Sequence, residues 1–282
     1  MNHLQQARNS YDSHVGLLAC PLCRSAMIVQ GNALRCQRGH SFDFARTGYV
    51  NLYTGRPSED YSAALFAARA AVAQAGFFDG MLDALAQMIK TQLPQMETLL
   101  DAGCGEGSHL LALLARLQKE GLNALGVGVD LSKPGIDRAA RRGGALWAVA
   151  DLARLPFACG SFDAIVNILS PARYEEFARV LKPGGIVLKV IPGRAYLKEL
   201  REALGADDYD NTDVLSLFTR RTSLVEQRRV SSVMEFSGEA MGQLITMTPM
   251  TWHASPEKLR ALRERESLSV TAEFLLLAGK PV

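Results

Sequence analysis

Asp101-Ala102-Gly103-Cys104-Gly105-Glu106-Gly107 follows the apolar run Thr98-Leu99-Leu100-Asp101 and opens into a segment with Leu110, Leu111, Leu113, Leu114 and Leu117 on its apolar side. A strand, a glycine-rich turn and an amphipathic helix in that order put a ligand-approach turn at the carboxyl end of a strand, because glycine lets backbone come close to a bound group. Alone, Gly-x-Gly-x-Gly is a weak signal that suits phosphate cradles, dinucleotide sites and ordinary tight turns alike. Its surroundings narrow the choice. The next strand, Ala124 to Asp130, ends on an acid 25 residues after Gly105. That is the length of one strand–helix–strand unit, and an acid there can accept hydrogen bonds from ribose hydroxyls. Strands at Leu146 to Asp151, Phe162 to Ile168 and Ile186 to Ile191, with a helix from Tyr174 to Leu181, continue an alternation that predicts an α/β fold with a parallel sheet covered on both faces. Two β-rich stretches, about 223 to 234 and 268 to 278, are expected to complete the sheet as an antiparallel pair. Helices over 61–75 and 79–92 precede this core and could close over its ligand.

The acid before the turn, and the third glycine two residues after the second, make residues 101–107 resemble the glycine motif of class I (Rossmann-like) S-adenosylmethionine-dependent methyltransferases more than the Gly-x-Gly-x-x-Gly of dinucleotide enzymes. Asp151-Leu152-Ala153-Arg154-Leu155-Pro156-Phe157, Ser161-Phe162-Asp163 and Leu181-Lys182-Pro183-Gly184-Gly185 look like the rest of that series.

The second strong pattern lies near the amino terminus. Cys20-Pro-Leu-Cys23 and Cys36-Gln-Arg-Gly-His40 gather four soft ligands in two knuckles, the spacing of a structural zinc site. A disulfide or unconnected thiols are the alternative, but Cys104 and Cys159 are remote and five is an odd count for a disulfide framework. Arg24, Arg35, Arg38, Arg46 and Arg56 face a single acid, Asp43, between residues 20 and 56, a balance of +4 in a chain of net charge +2. Positive charge is therefore concentrated at the metal module, as an anionic partner such as RNA backbone would require. Phe42, Phe44, Tyr49 and Tyr53 interleave with these arginines and suit either stacking on unpaired bases or a small core, with core favoured for Phe42 and Phe44.

At 282 residues and 48% hydrophobic content, the chain can bury one large domain and carry one small module. No apolar run reaches the roughly 20 residues that span a bilayer, and the start lacks a basic, then apolar, signal. A cytoplasmic protein is expected, in keeping with free thiols. The expected divisions are a polar leader over 1–14, disordered by composition, a zinc ribbon over 15–53, a linker with helices over 54–96, and the methyltransferase domain over 97–282.

Ribbon and core together are similar to one family, the bacterial 23S ribosomal RNA (guanine-N1)-methyltransferases of the RlmA type. The likeness runs through Cys36-Gln-Arg-Gly-His40-Ser-Phe42-Asp43, Gly48-Tyr49-Val50-Asn51-Leu52, Leu65-Phe66-Ala67-Ala68-Arg69, Ala75-Gly76-Phe77-Phe78, Pro192-Gly193 through Leu197, and Met247-Thr248-Pro249-Met250-Thr251-Trp252. It implies methyl transfer from S-adenosylmethionine to N1 of a guanine in a hairpin loop of 23S rRNA, with zinc held by Cys20, Cys23, Cys36 and His40 in an RNA-recognising ribbon. It also implies a cofactor pocket of Asp101, Gly103, Gly105, His109 and Leu110, with Asp130 on the ribose and Phe78 and Tyr196 as further lining. The expected partner is the RNA hairpin loop and no membrane, with a homodimer left open. No residue declares itself as general base: Asn167 could meet an edge of the target base, and Asp151 and Asp163 are acids that serve equally as caps. Arg141-Arg142 and Arg228-Arg229 either extend the RNA surface or are solvated faces. The rival readings are a methyltransferase acting on a small molecule or protein, and a noncatalytic RNA-binding assembly factor that keeps S-adenosylmethionine as a structural ligand.

Overall fold

A computed structural model describes residues 3–55 and 62–282. In chain order it begins with helix α1 (His3–Ser13), a three-stranded ribbon of β1 (Met27–Gln30), β2 (Ala33–Cys36) and β3 (Ser41–Asp43), and the short strand β4 (Val50–Asn51). Helices α2 (Ala63–Gln74) and α3 (Asp79–Gln92) lead to β5 (Thr98–Ala102), α4 (Ser108–Lys119), β6 (Leu125–Asp130), α5 (Lys133–Arg142), β7 (Leu146–Val149), β8 (Phe162–Ile168), α6 (Tyr174–Val180) and β9 (Leu181–Pro192). The remainder is α7 (Lys198–Leu204), α8 (Thr212–Arg221), β10 (Thr222–Ser237), α9 (Gly238–Met247), α10 (Pro256–Arg263) and β11 (Ser267–Pro281).

The large sheet runs β10-β11-β9-β8-β5-β6-β7-β4. Strands β4 to β9 pair in parallel, and β11 lies antiparallel between β9 and β10, as the late β-rich stretches imply. Chain direction around the sheet reverses at β5, between β6 and β8, and in open α/β sheets ligands bind outside the carboxyl ends of strands at such a switch point. Neighbouring residues of β5 serve opposite faces: Leu99 belongs to the core cluster shared by α2, α3, α4 and α9, Leu100 to the one shared by α1, α6, α8 and the ribbon. Both are fully buried, which is why the central strands read as continuous apolar runs.

Two expectations change. The polar leader is a helix rather than a disordered tail: Tyr11 is 1% exposed, packs edge-on against Phe44 and donates its hydroxyl to the Trp147 carbonyl at 2.7 Å. Tyr11, with Leu4 packed on the same cluster and Arg8 bonded to Asn32, docks a helix whose other side chains are mostly polar. The ribbon also does not stand apart from the core. Its tail is strand β4, paired with β7 through Val50 to Ala148 and Asn51 to Val149, and Ala19 N–H donates to the Pro156 carbonyl. Residues 56–61 of the expected linker and helix segment lie outside the described residues. Helix α2 starts where Ser62 Oγ accepts the Leu65 N–H.

Candidate cofactor pocket and metal centre

The chain leaves β5 through Gly103, Gly105 and Gly107, at φ of 91°, 56° and 80°. A Cβ on Gly103 would lie 2.0 Å from Ser170 Oγ, and one on Gly107 would lie 2.5 Å from the Trp147 ring, so side chains are excluded on both conformational and steric grounds. Asp130, at the carboxyl end of β6, braces this turn: Oδ2 accepts the Gly105 N–H at 2.9 Å and Oδ1 the Ser132 N–H at 2.7 Å. Each oxygen keeps a further acceptor site.

Asp101 is 1% exposed and neither of its oxygens has a partner among the described residues. Burial, with Asp130 and Glu106 nearby, pushes its carboxyl up to about 8. Glu106 is tied to Arg142 at 2.9 Å and to Ser108. An orphaned buried acid beside a glycine cradle and a ribose-type acceptor fits S-adenosylmethionine, which brings an ammonium, a sulfonium and a ribose to such a place. The helix that follows presents His109, whose pKa burial and then Arg69 lower to about 4, leaving a neutral imidazole. Its ring meets Phe78 edge-on at 4.6 Å; Phe78 and Tyr196 both pack on Phe274, at 5.8 and 5.1 Å. The expected residues thus fall into two joined sets, an acidic glycine turn and an aromatic cluster. The Leu110 side chain is fully buried in the same apolar cluster as Phe78 and Tyr196.

Two features escaped the sequence reading. Helix α2 lies across the turn, as its position before the core implied, with the Phe66 ring 3.4 Å from a Cβ on Gly105 and 3.0 Å from one on Gly135. Its Arg69 sits close enough to bias Asp130, His109 and Tyr196, and only its place in the Leu65-to-Arg69 motif hinted at this. The other feature is Lys189. Its Nζ donates to Asn167 Oδ1 at 2.6 Å, while Asn167 Nδ2 donates to the Ala102 carbonyl at 2.6 Å and the Pro171 carbonyl at 3.1 Å. Asn167 is fully buried and its amide is occupied within the fold, so it does not meet a target base. Asp151 caps the turn at Ala153, and Asp163 accepts from Glu97, Thr98 and Lys182 at the far end of β8. Neither acid is placed as a base.

In the ribbon the donor atoms of Cys20, Cys23, Cys36 and His40 lie within 4.8 Å of one another. Cys23 and Cys36 Sγ are 3.7 Å apart, and His40 Nδ1 is 3.4 Å from Cys20 Sγ and 3.3 Å from Cys36 Sγ. Tetrahedral zinc with its usual bond lengths would set about 3.8 Å between sulfurs and about 3.5 Å between sulfur and nitrogen, so the set fits the metal as it stands. All five cysteines are free, which rules against a disulfide. Each knuckle turns through a positive φ, at Arg24 (62°) and Gly39 (84°), with Arg24 N–H returning to the Cys20 carbonyl and Gly39 N–H to that of Cys36. Ser25 Oγ, 3.0 Å from Cys23 Sγ, helps to lower that thiol to about 6, towards the thiolate that a metal needs.

Arg35, Arg38 and Arg46 are exposed on the ribbon, whereas Arg24 is anchored to the Leu155 carbonyl and Glu176; Arg56 lies outside the described residues. The ribbon aromatics are largely core: Phe44 and Tyr49 are buried, Phe42 and Tyr53 half-buried. Arg141 pairs with Asp137, Arg142 with Glu106 and Arg228 with Glu226, leaving Arg229 as the exposed member of its pair.

Comparison with known proteins agrees with this division. Residues 18–54 match the family described as RlmA, N-terminal, and residues 99–185 match a methyltransferase domain. The chain is 40% identical over 273 residues to YxjB of Bacillus subtilis (strain 168), named as a candidate 23S rRNA (guanine-N(1)-)-methyltransferase, covering 93% of this chain and 96% of that one. It is 34% identical over 254 residues to a 23S rRNA (guanine(748)-N(1))-methyltransferase of Streptomyces fradiae, covering 87% of this chain and 89% of that one.

Proposed function

Because this chain belongs to the RlmA-type family of 23S ribosomal RNA (guanine-N1)-methyltransferases, we propose that it methylates N1 of a guanine in a hairpin loop of 23S rRNA. One observation carries the reading: a zinc-fitting ribbon with exposed arginines is built into the same sheet as the acidic glycine turn, through β4 and β7. An RNA-binding surface and a cofactor pocket on one packed unit suit a macromolecular acceptor better than a small one.

S-adenosylmethionine, when bound, supplies an electrophilic methyl group. The chain's part is to hold and orient. Asp130, which braces Gly105, would accept from the ribose hydroxyls through its remaining lone pairs, and the unpartnered Asp101 would face the cationic end of the cofactor. Gly103 and Gly105 allow close approach, His109 and Leu110 open the following helix, and Phe78 and Tyr196 wall the pocket with apolar surface. N1 of neutral guanine carries a proton, so its in-plane lone pair reacts only as that proton leaves, and alignment with the methyl group supplies much of the acceleration. A loop base is already unpaired and presents N1 at little unstacking cost. Zinc, with its four protein ligands filled, has a structural role.

No described helix is long and apolar enough to cross a membrane. The cytoplasm, where ribosomal RNA is made, is the proposed location, and a homodimer a proposed assembly, for which the outer edge of β10 with exposed Leu224, Val225 and Val233 is the suited surface. A methyl group on N1 blocks Watson–Crick pairing, so primer extension over treated 23S rRNA should gain a stop at one hairpin-loop guanine. An unchanged stop pattern with intact cofactor binding would favour another acceptor.

A further inference from the structure

Lys189 is the one charged residue in the run Ile186-Val187-Leu188-Lys189-Val190-Ile191 at the centre of β9, and it is 4% exposed. Its Nζ donates to Asn167 Oδ1 at 2.6 Å and to the Ser170 carbonyl, and no carboxylate pairs with it among the described residues. An ammonium buried without a counter-ion costs several kcal/mol, and an apolar side chain of similar volume would avoid that cost. Its hydrogen bonds must therefore do something that packing cannot. Burial pushes the group down to about 8, and even the neutral amine keeps two N–H groups for its two acceptors.

What it holds is the loop between β8 and α6. Leu169 sits at φ 51°, a left-handed conformation that is strained for any residue with a Cβ, and it is exposed. The next residue, Ser170, packs its Oγ against Gly103, and Asn167 joins the Ala102 and Pro171 carbonyls. A single buried lysine thus links β9, the strained loop and the start of the glycine turn. The carboxyl ends of β5 and β8 flank the switch point, so this loop borders the place where an acceptor must meet the methyl group.

We propose that Lys189 is a positioning residue for methyl transfer: by holding the Asn167 side chain and the Ser170 carbonyl, it fixes the Leu169–Pro171 loop as the wall that aligns the acceptor guanine with the cofactor at Gly103. The inference rests on the proposed methylation of RNA. In this chain, K189M keeps most of the side-chain length and apolar bulk and removes the donor, and K189Q returns N–H donors on a slightly shorter side chain. K189M should speed amide exchange at Leu169, Ser170 and Ala172 and lower kcat by about tenfold or more, while S-adenosylmethionine affinity stays at the wild-type level. K189Q, which also serves if K189M folds poorly, should recover part of kcat. Unchanged loop exchange, an unchanged kcat, or a loss of kcat matched by equal loss of cofactor affinity would overturn it. Wild-type protein in the same assay reports on RNA methylation itself, so a failure of that reading appears in the wild type, and a failure of this one only in the variants.

Discussion

The zinc knuckles and the glycine turn hold small charged groups on opposite plans. At the knuckles four side chains converge, and their chemistry is unambiguous: thiolate and imidazole donors already stand at tetrahedral separations. At the turn side chains are excluded at Gly103 and Gly107, and what surrounds it is backbone, buried acids and a helix laid over the top. The first plan can be read from four positions. The second can be read only from its surroundings, since the same glycines serve several ligands.

The largest expected effect is at the knuckles. C23S should drop bound zinc from about one ion per chain to near none and release amide protection across the ribbon while the large sheet stays protected, as metal content and hydrogen exchange would report. Zinc retained in C23S would break the comparison at its stronger end.

At the turn, G103A should destabilise the chain by about 1–3 kcal/mol in denaturant unfolding, because φ 91° and Ser170 both oppose a Cβ. It should weaken the cofactor as well. D130A should cost the cofactor about tenfold in calorimetric affinity, having removed the proposed ribose acceptor and the brace on Gly105. An unaltered titration would remove the ribose assignment.

Asp101 sharpens the contrast through pH. Its folded pKa of about 8 stands above an ordinary value of 3.8, so the stability tied to its protonated form is complete below the ordinary value and is lost as pH rises through the folded one. Melting temperature of the ligand-free chain should therefore fall from about pH 4 to 8 and level off above, the shift given by S-adenosylmethionine should grow over the same range, and D101N should flatten both trends. The smallest effect belongs to the surface: R38A should leave melting unchanged and reduce the slope of log affinity for RNA against log salt by about 1.

The parallel strands were legible, though not their order, because buried parallel strands impose apolar runs, and β8 and α3 have the bounds that their sequences imply. The ribbon ligands were legible because metal geometry restricts residue type. Helix α1 was not, since Tyr11 and Leu4 are its main apolar contacts and composition registers only the polar remainder. The tie between β4 and β7 was hidden because two residues are too few for a periodic signal. Arg69 and Asn167 show the same limit from both sides. An unremarkable helical arginine reaches the pocket from another element, and a polar residue at the expected strand end is occupied by the fold. Lys189 did leave a trace, one charge in an apolar strand, whose meaning depended on where the neighbouring strand placed Asn167.

The most direct test is to incubate the protein with methyl-labelled S-adenosylmethionine and unmodified 23S rRNA, digest the RNA to nucleosides and identify the labelled product. Label in N1-methylguanosine, lost in D130A, is the result expected here. Label in any other nucleoside, or none in RNA while cofactor binding is intact, would contradict the account.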